Sequence, residues 1–223
     1  MLKRLFDGAL PQLVMFDLDG TLIDAVPDLA AAVDQMLAKR GRPPAGVERV
    51  RDWVGNGSPV LVRRALAGSI EHAGVDDGEA AQALQDFLQA YAGSHSATTV
   101  YPGVVELLQW LRSQGVALAV VTNKPERFVA PLLAEKGLGE FGWIIGGDTL
   151  PLKKPDPAGL LQVMRAAGVS PQQSLFVGDS RSDVLAARAA GVKVVAVSYG
   201  YNHGRPIAEE RPDLLVDSLD ALI

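Results

Sequence analysis

The sequence predicts an α/β fold, a parallel sheet core with an inserted helical cap domain, and three observations lead to this prediction. Short apolar runs recur along the chain, most of them followed by Asp, Thr or Gly, which is typical of buried strands. Segments with helical spacing lie between these runs, and alternation of strand and helix indicates a parallel sheet. One long stretch, from about residue 24 to residue 98, has helical patterns only.

The individual elements follow in chain order. Core strands are predicted at residues 13–16, 116–121, 143–145, 174–177 and 192–197. Amphipathic patterns in the long stretch predict helices at about 26–40, 47–53, 58–69 and 78–92, and Ser58-Pro59 predicts a helix start with Ser58 as its N-cap. We therefore expect a core of residues 1–23 and 99–223 and a cap of residues 24–98. The alternative is an elaborated crossover that packs on the sheet.

Composition limits the possible partners and location. The 223 residues are 48% hydrophobic, enough to bury one sizeable core. A formal net charge of -5 with both signs interspersed argues against a nucleic-acid-binding face. No segment approaches the roughly 20 apolar residues of a membrane span, and no signal peptide is recognisable. The absence of cysteine excludes thiolate chemistry and fits a reducing compartment, so we expect a cytoplasmic protein, either a monomer or a homodimer.

Asp17 and Asp19 directly follow the first predicted strand. A carboxylate at the end of a buried strand is destabilising unless something compensates it. Asp17 is therefore a candidate nucleophile that attacks phosphorus, although the capping of a turn would also explain it. Asp19, two residues further on, is placed to protonate the leaving oxygen and then to take a proton from the hydrolytic water.

Asp179 follows a later strand and brings a third carboxylate to the same region, because ligands bind outside the carboxyl ends of parallel strands. Three neighbouring carboxylates resist joint ionisation, and a Mg²⁺ ion would relieve that conflict. We expect Asp17, Asp179 and the main-chain carbonyl of Asp19 as its ligands. Asp183 matches a capping box with Ser180, which explains this residue without a metal. We favour a contribution to the metal site, either by contact with the residues that bind the ion or through a water molecule.

Thr122, Asn123 and Lys154 are the candidate phosphate-binding residues. Thr122-Asn123 ends the second core strand near a predicted helix start, where hydroxyl, amide and N–H groups suit phosphate oxygens; helix capping explains Asn123 equally well. Lys154 precedes a rigid Pro-Asp-Pro segment that can hold one lysine against phosphate and nucleophile. Lys153 is expected to be a solvated surface charge, and Lys124 is left unassigned.

In this order, the residues resemble the four motifs of the haloacid dehalogenase superfamily, and more narrowly its phosphoglycolate phosphatases. The resemblance rests on Asp17-Leu18-Asp19-Gly20-Thr21, Thr122, Lys154 and the segment from Gly178-Asp179 to Asp183, and it covers nearly the whole chain. It implies a Rossmann-like core, a cap after the first motif, Mg²⁺ dependence and an aspartyl-phosphate intermediate. Asp19 distinguishes the chain from the superfamily's transport ATPases, and Asp179 argues against carbon–halogen cleavage. A phosphatase acting on a small phosphomonoester is therefore expected.

The segment Gly55-Asn56-Gly57 is similar to the specificity loop of the phosphoglycolate phosphatases. Its glycines let backbone amides approach a small substrate, and the helix near Pro59 offers a positive end to a carboxylate, although a simple turn would also use Gly-Asn-Gly. We therefore expect 2-phosphoglycolate as the substrate, bound in part by these three residues. The alternatives are a sugar-phosphate phosphatase, a phosphoglucomutase-like isomerase and, outside the enzymes, a phospho-aspartate signalling module.

Overall fold

The computed structural model describes residues 1–93 and 95–223 and shows an α/β fold built on a six-stranded sheet. In chain order the strands are β1 (Leu13–Phe16), β2 (Ile23–Asp24), β3 (Thr99–Val100), β4 (Ala117–Val121), β5 (Trp143–Ile145), β6 (Ser174–Gly178), β7 (Lys193–Val197) and β8 (Leu214–Val216). The six-stranded sheet has the order β5-β4-β1-β6-β7-β8, and every neighbouring pair in it is parallel. The predicted fold class is confirmed.

Four of the helices form the predicted helical stretch between β2 and β3. The helices of the described residues are α1 (Leu2–Leu5), α2 (Val26–Ala38), α3 (Val47–Trp53), α4 (Ser58–Ala67), α5 (Asp77–Tyr91), α6 (Val104–Ser113), α7 (Val129–Glu135), α8 (Ala158–Ala167) and α9 (Arg181–Ala189). The N-cap predicted at Ser58 is wrong, because Gly57, with φ at +87°, is the N-cap of α4 and no side chain caps it. Among these described helices, none combines the length and the apolar character that a membrane crossing requires.

Strand β1 lies in the centre of the sheet, and all four of its side chains are buried. Alternate side chains point to opposite faces, so Val14 and Phe16 pack in one apolar cluster while Leu13 and Met15 pack in another. Helices α6 and α7 contribute to the first cluster, and α8 and α9 contribute to the second. The sheet is therefore covered by helices on both faces, which explains why its central strand is continuously apolar.

A second, two-stranded sheet connects the helical stretch to the core. Strands β2 and β3 are antiparallel, with Ile23 opposite Val100 and Asp24 opposite Thr99. Helices α2, α4 and α5 pack on one another around side chains such as Met36, Val62 and Phe87, which are fully buried. We propose that residues 24–98 form the cap, entered through β2 and left through β3.

Candidate active site

The carboxyl ends of three adjacent strands bring the principal site residues together. Strand β1 pairs with β4 on one side and with β6 on the other. Asp17 follows β1, Thr122 follows β4 and Asp179 follows β6, so the three residues lie at neighbouring positions along one edge of the sheet. All three side chains are buried. This edge is where ligands of open parallel sheets bind.

Asp17 and Lys154 form the centre of the site. The Nζ atom of Lys154 lies 2.9 Å from Oδ1 of Asp17 and 2.7 Å from Oδ1 of Asp183. The same Asp17 oxygen accepts a hydrogen bond of 2.7 Å from the backbone N–H of Leu18. Oδ2 of Asp17 accepts no hydrogen bond from the residues that the structure describes, and Asp17 lines the cavity described below. One carboxylate oxygen is thus held in place while the other remains available for chemistry.

Asp179 is held from two sides by groups on the core loops. Its Oδ1 accepts a hydrogen bond of 2.7 Å from the hydroxyl of Thr21, and its Oδ2 accepts one of 2.6 Å from the backbone N–H of Tyr201. A Cβ atom at Gly20 would lie 2.3 Å from Oδ2 of Asp179, and one at Gly200 would lie 2.2 Å from its Cβ. Glycine is therefore required at both positions for the two loops to approach this carboxylate.

Asp183, at the start of α9, has both carboxylate oxygens fully engaged by the protein. Oδ1 accepts a hydrogen bond from Nζ of Lys154. Oδ2 accepts three hydrogen bonds: from the backbone N–H of Asp179 at 3.1 Å, from the backbone N–H of Ser180 at 2.9 Å and from the hydroxyl of Ser180 at 2.7 Å. The predicted capping box is present, with Ser180 as the N-cap. A Cβ at Gly178 would lie 2.5 Å from Asp183, so the close approach also depends on this glycine. Asp183 therefore fixes the positions of Lys154 and of the backbone that carries Asp179.

Burial dominates the electrostatics of the cluster. It raises the pKa of Asp17 from 3.8 to about 6, although Lys154 acts in the opposite direction. Burial, with Asp183 and Asp17 adding repulsion, raises the pKa of Asp179 well above its usual value. For Lys154, burial disfavours the ammonium form, but the charges of Asp17 and Asp183 outweigh it and raise its pKa. One lysine is thus insufficient to compensate three carboxylates.

Asp19 is paired with Lys124, a contact that the sequence did not reveal. Both carboxylate oxygens of Asp19 lie 3.1 Å from Nζ of Lys124, which also donates a hydrogen bond of 2.6 Å to the hydroxyl of Tyr91. Burial disfavours the charged form of Lys124, yet Asp19 and Tyr91 outweigh it and raise its pKa. Since Tyr91 ends α5, this chain of contacts connects the cap to Asp19. The only signal in the sequence was the position of Lys124 two residues after Thr122.

Asn123 connects the cap loop to the core. Its Nδ2 donates hydrogen bonds of 3.0 Å to the carbonyl oxygens of Gly55 and Lys154. Both amide hydrogens are therefore used within the protein, and the side chain positions the loop. Thr122 has its hydroxyl close to the backbone N–H of Lys124, from which it accepts a bond of 3.3 Å.

A small cavity between the cap and the core joins these residues. Its volume is about 40 Å³, room for about three water molecules at 10–15 Å³ each. It is lined from the core by Asp17, Asp19, Thr122, Asn123, Lys124 and Pro125, and from the cap by Leu29, Val54, Gly55, Gly57, Ser58, Leu61 and Tyr91. Asn56 is half-buried and lies outside this lining. The cavity suits a small ligand that the cap loop covers.

The structure brings the predicted carboxylates and lysine together and corrects one expectation. Asp17, Asp179 and Asp183 form a buried cluster in which one ligand oxygen of each lies within 4.8 Å of the others. The surface position expected for Lys153 is wrong, because this residue is half-buried beside the cap loop. The Nδ1 atom of His203 lies 2.8 Å from the carbonyl oxygen of Asp52.

Comparisons with known proteins identify the relatives of this chain. The family model of haloacid dehalogenase-like hydrolases matches residues 11–191. A phosphoglycolate phosphatase of Pseudomonas fluorescens Pf0-1 is 68% identical over 222 residues, which are 99% of this chain and 82% of that protein. Phosphoglycolate phosphatase 1 of Pseudomonas aeruginosa PAO1 is 66% identical over 219 residues, 98% of this chain and 80% of that protein.

A solved structure shows the same architecture. The crystal structure of a predicted phosphoglycolate phosphatase from Haemophilus somnus 129PT superposes with a TM-score of 0.87 and 38% sequence identity. The superposition covers 95% of this chain and 96% of that one, so it includes helices of residues 24–98 as well as the sheet.

Proposed function

The chain belongs to the haloacid dehalogenase-like hydrolases, and we propose that it hydrolyses 2-phosphoglycolate to glycolate and phosphate by way of a phosphorylated Asp17. Relatives called phosphoglycolate phosphatase, 66–70% identical over nearly the whole chain, make it a phosphoric monoester hydrolase. Membership of a hydrolase family also removes the signalling-module alternative.

One observation carries the mechanism: Asp17 is fixed through one oxygen while the other is free beside a small cavity. Its Oδ1 is held by Lys154 and by the Leu18 N–H, at 2.9 Å and 2.7 Å. A nucleophile must be oriented and ionised, and the lysine contributes to both. The small volume of the cavity, about 40 Å³, favours a compact phosphomonoester over a bulky one.

The acidic cluster fits a hard divalent cation. Its donors are all oxygen atoms, the three carboxylates are buried, and one lysine compensates them incompletely. Asp17, Asp179 and the main-chain carbonyl of Asp19 would hold Mg²⁺, while the saturated oxygens of Asp183 would keep these groups in position. When bound, the cation supplies positive charge that favours the ionised carboxylates and the charge on the transferring phosphoryl group.

In the first step, Oδ2 of Asp17 attacks phosphorus and the bond from phosphorus to the substrate's ester oxygen breaks. Asp19 in its protonated form gives its proton to that leaving oxygen, which departs as the hydroxyl of glycolate. Lys154, which contacts Asp17, and Thr122, which lines the cavity, stabilise the phosphoryl oxygens. Asp17 is then an acyl phosphate, and Asp19 is a carboxylate.

In the second step, water attacks the phosphorus of the acyl phosphate, and Asp19 takes the proton that the water loses. The bond between phosphorus and the Asp17 oxygen breaks, which releases phosphate and restores both aspartates. The ion pair between Asp19 and Lys124 in the structure corresponds to the carboxylate form of Asp19 that this step requires. The cap loop covers the cavity and limits the access of bulk water.

The test is phosphate release from 2-phosphoglycolate beside a panel of sugar phosphates, with Mg²⁺ and with EDTA. We expect Mg²⁺-dependent turnover with a kcat/KM at least ~100-fold above the panel, or roughly 2.7 kcal/mol of transition-state discrimination. A sugar phosphate at the top of the panel would retain the phosphatase chemistry and overturn the assignment of substrate. Stoichiometric phosphate release separates hydrolysis from a mutase reaction, which passes the phosphoryl group back to the substrate.

We also propose that the enzyme works in the cytoplasm on a free small molecule, without a nucleic-acid or membrane partner. The cysteine-free sequence and the net charge of -5 support this proposal. Fractionation of cells that express the protein, with phosphatase activity measured in each fraction, would test it.

A further inference from the structure

The lysines that contact the catalytic aspartates already have carboxylate partners. Lys124 is paired with Asp19, and Lys154 is paired with Asp17 and Asp183. A phosphorylated 2-hydroxy acid, however, brings two anionic groups into the site, a phosphate and a carboxylate at its other end. The carboxylate therefore needs a positive group that the catalytic cluster does not supply.

Lys153 lies directly behind the cap loop that lines the active cavity. Its Nζ would be 2.9 Å from a Cβ atom at Gly57, and the carbonyl oxygen of Asn123 would be 3.0 Å from the same point. Gly57 and Asn123 both line the active cavity. The ammonium group of Lys153 is thus in contact with the wall of that cavity, on the cap side.

Within residues 1–93 and 95–223, no carboxylate forms an ion pair with Lys153. Burial lowers the pKa of its ammonium group, and no neighbouring charge opposes that effect. In Lys124 and Lys154 the effect of burial is outweighed by acidic partners, and the pKa is raised. A half-buried cation without a counter-charge is in an unfavourable position that an anionic ligand would relieve.

A second cavity, about 270 Å³, adjoins Lys153 and shares part of its wall with the active cavity. The shared residues are Ser58, Asn123 and Pro125. The cavity also contains the start of α4, where the helix dipole adds positive potential. Its acidic lining residue, Asp148, already uses Oδ1 to accept the backbone N–H of Glu126. This side of the active cavity is therefore suited to an anion.

We propose that Lys153 is a specificity-determining residue: its ammonium group, next to Gly57 in the wall of the active cavity, attracts the substrate's carboxylate to that side while the phosphate occupies the Asp17 end. This inference rests on the proposed function and goes further, since it assigns the recognition of the non-reacting end to a side chain of the core. It also gives Gly57 a second reason to lack a side chain, because a Cβ there would displace the lysine.

The experiment compares two substrates that differ only at the group in question: 2-phosphoglycolate and ethyl phosphate, which has a methyl group in place of the carboxylate. Wild type, Lys153→Met, Lys153→Arg and Lys3→Met are assayed on both. Lys3→Met is the matched control, because Lys3 is exposed on α1. Thermal unfolding of each variant identifies any loss of folded protein.

We expect Lys153→Met to lower the ratio of kcat/KM for phosphoglycolate to that for ethyl phosphate by about 10- to 100-fold, as for the loss of one charge-assisted hydrogen bond. The change should fall mainly on KM, and Lys153→Arg should restore part of the ratio. A wild-type preference that survives unchanged in Lys153→Met, or equal losses on both substrates, overturns this inference alone. A wild type that shows no preference overturns the proposed function itself.

Discussion

Asp183→Asn is expected to destabilise the protein even without a divalent metal, which separates the structural role of this residue from a role in metal binding. Its oxygens accept four hydrogen bonds, one from Lys154 and three from the start of α9. An asparagine side chain has one acceptor oxygen and one NH₂ donor. In either orientation, the NH₂ group faces groups that also donate.

The magnitude follows from these contacts. A lost hydrogen bond to a charged group is worth about 1.5–3 kcal/mol, and an unsatisfied buried donor costs about 1–3 kcal/mol. Removal of one negative charge beside Asp17 and Asp179 offsets part of this loss, because the like charges repel. We expect a net loss of about 3 kcal/mol from a total that is typically about 5–15 kcal/mol. For a chain of this length, Tm should fall by about 6–12 °C.

The assay is urea unfolding in EDTA, followed by circular dichroism, for wild type, Asp183→Asn and Glu106→Gln. Glu106 is an exposed carboxylate on α6 and serves as the control for loss of a charge. The reasoning would be refuted by an Asp183→Asn protein within about 0.5 kcal/mol of the control, the usual range for surface substitutions. If the variant differed from wild type only in the Mg²⁺ concentration that its activity requires, the main role of Asp183 would be in metal binding.

Three further outcomes are expected. Asp17→Asn, nearly isosteric, should abolish turnover without lowering Tm; appreciable activity in a pure preparation would exclude Asp17 as the nucleophile. Tyr91→Phe removes the hydroxyl that Lys124 contacts at 2.6 Å and should lower the unfolding free energy by about 1–3 kcal/mol. Tyr101→Phe, which loses a hydroxyl contact of 3.3 Å, is its control, and an equal loss would contradict the assignment. Burial lowers the pKa of His203, so the folded protein resists a proton that the unfolded chain accepts below about pH 6.5. The contribution of His203 to stability should therefore fall as pH drops from about 7.5 to 5.5, while the raised pKa values of Asp17 and Asp179 act in the opposite direction in both proteins. The difference in stability between wild type and His203→Asn, in which asparagine tolerates the φ of +54°, should shift against wild type over this range; parallel pH curves would argue against this.

The sequence predicts the fold well where a strand is buried on both faces. Strands β1 and β4 are apolar throughout and β6 has an apolar centre, and these runs predict the three strands to within one residue at either end. Strand β8 was missed, because it has three residues at the edge of the sheet and one of them is exposed. Strands β2 and β3 have two residues each, too few for any periodicity to show.

The site residues that directly follow a core strand are the ones that the strand pattern alone predicts. Asp17, Thr122 and Asp179 satisfy that condition. The Tyr91–Lys124–Asp19 contacts do not, because they join residues 33 and 105 positions apart. The sequence predicts a solvated surface position for Lys153, and only the structure shows that Lys153 is turned toward the loop at Gly57 while Lys154 reaches Asp17.

The short β2–β3 ribbon limits the ways in which the cap can open. Both connections between cap and core pass through it, side by side and hydrogen-bonded, so the two cannot slide independently. Tyr201 of the core also donates a hydrogen bond to Asp24 within the ribbon, and the same residue's backbone holds Asp179. Opening of the proposed cap would therefore turn about a single pivot, and Tyr201 connects that pivot by hydrogen bonds to Asp179 of the acidic cluster. A substitution in the ribbon would change the rate of product release and the geometry of the acidic cluster together.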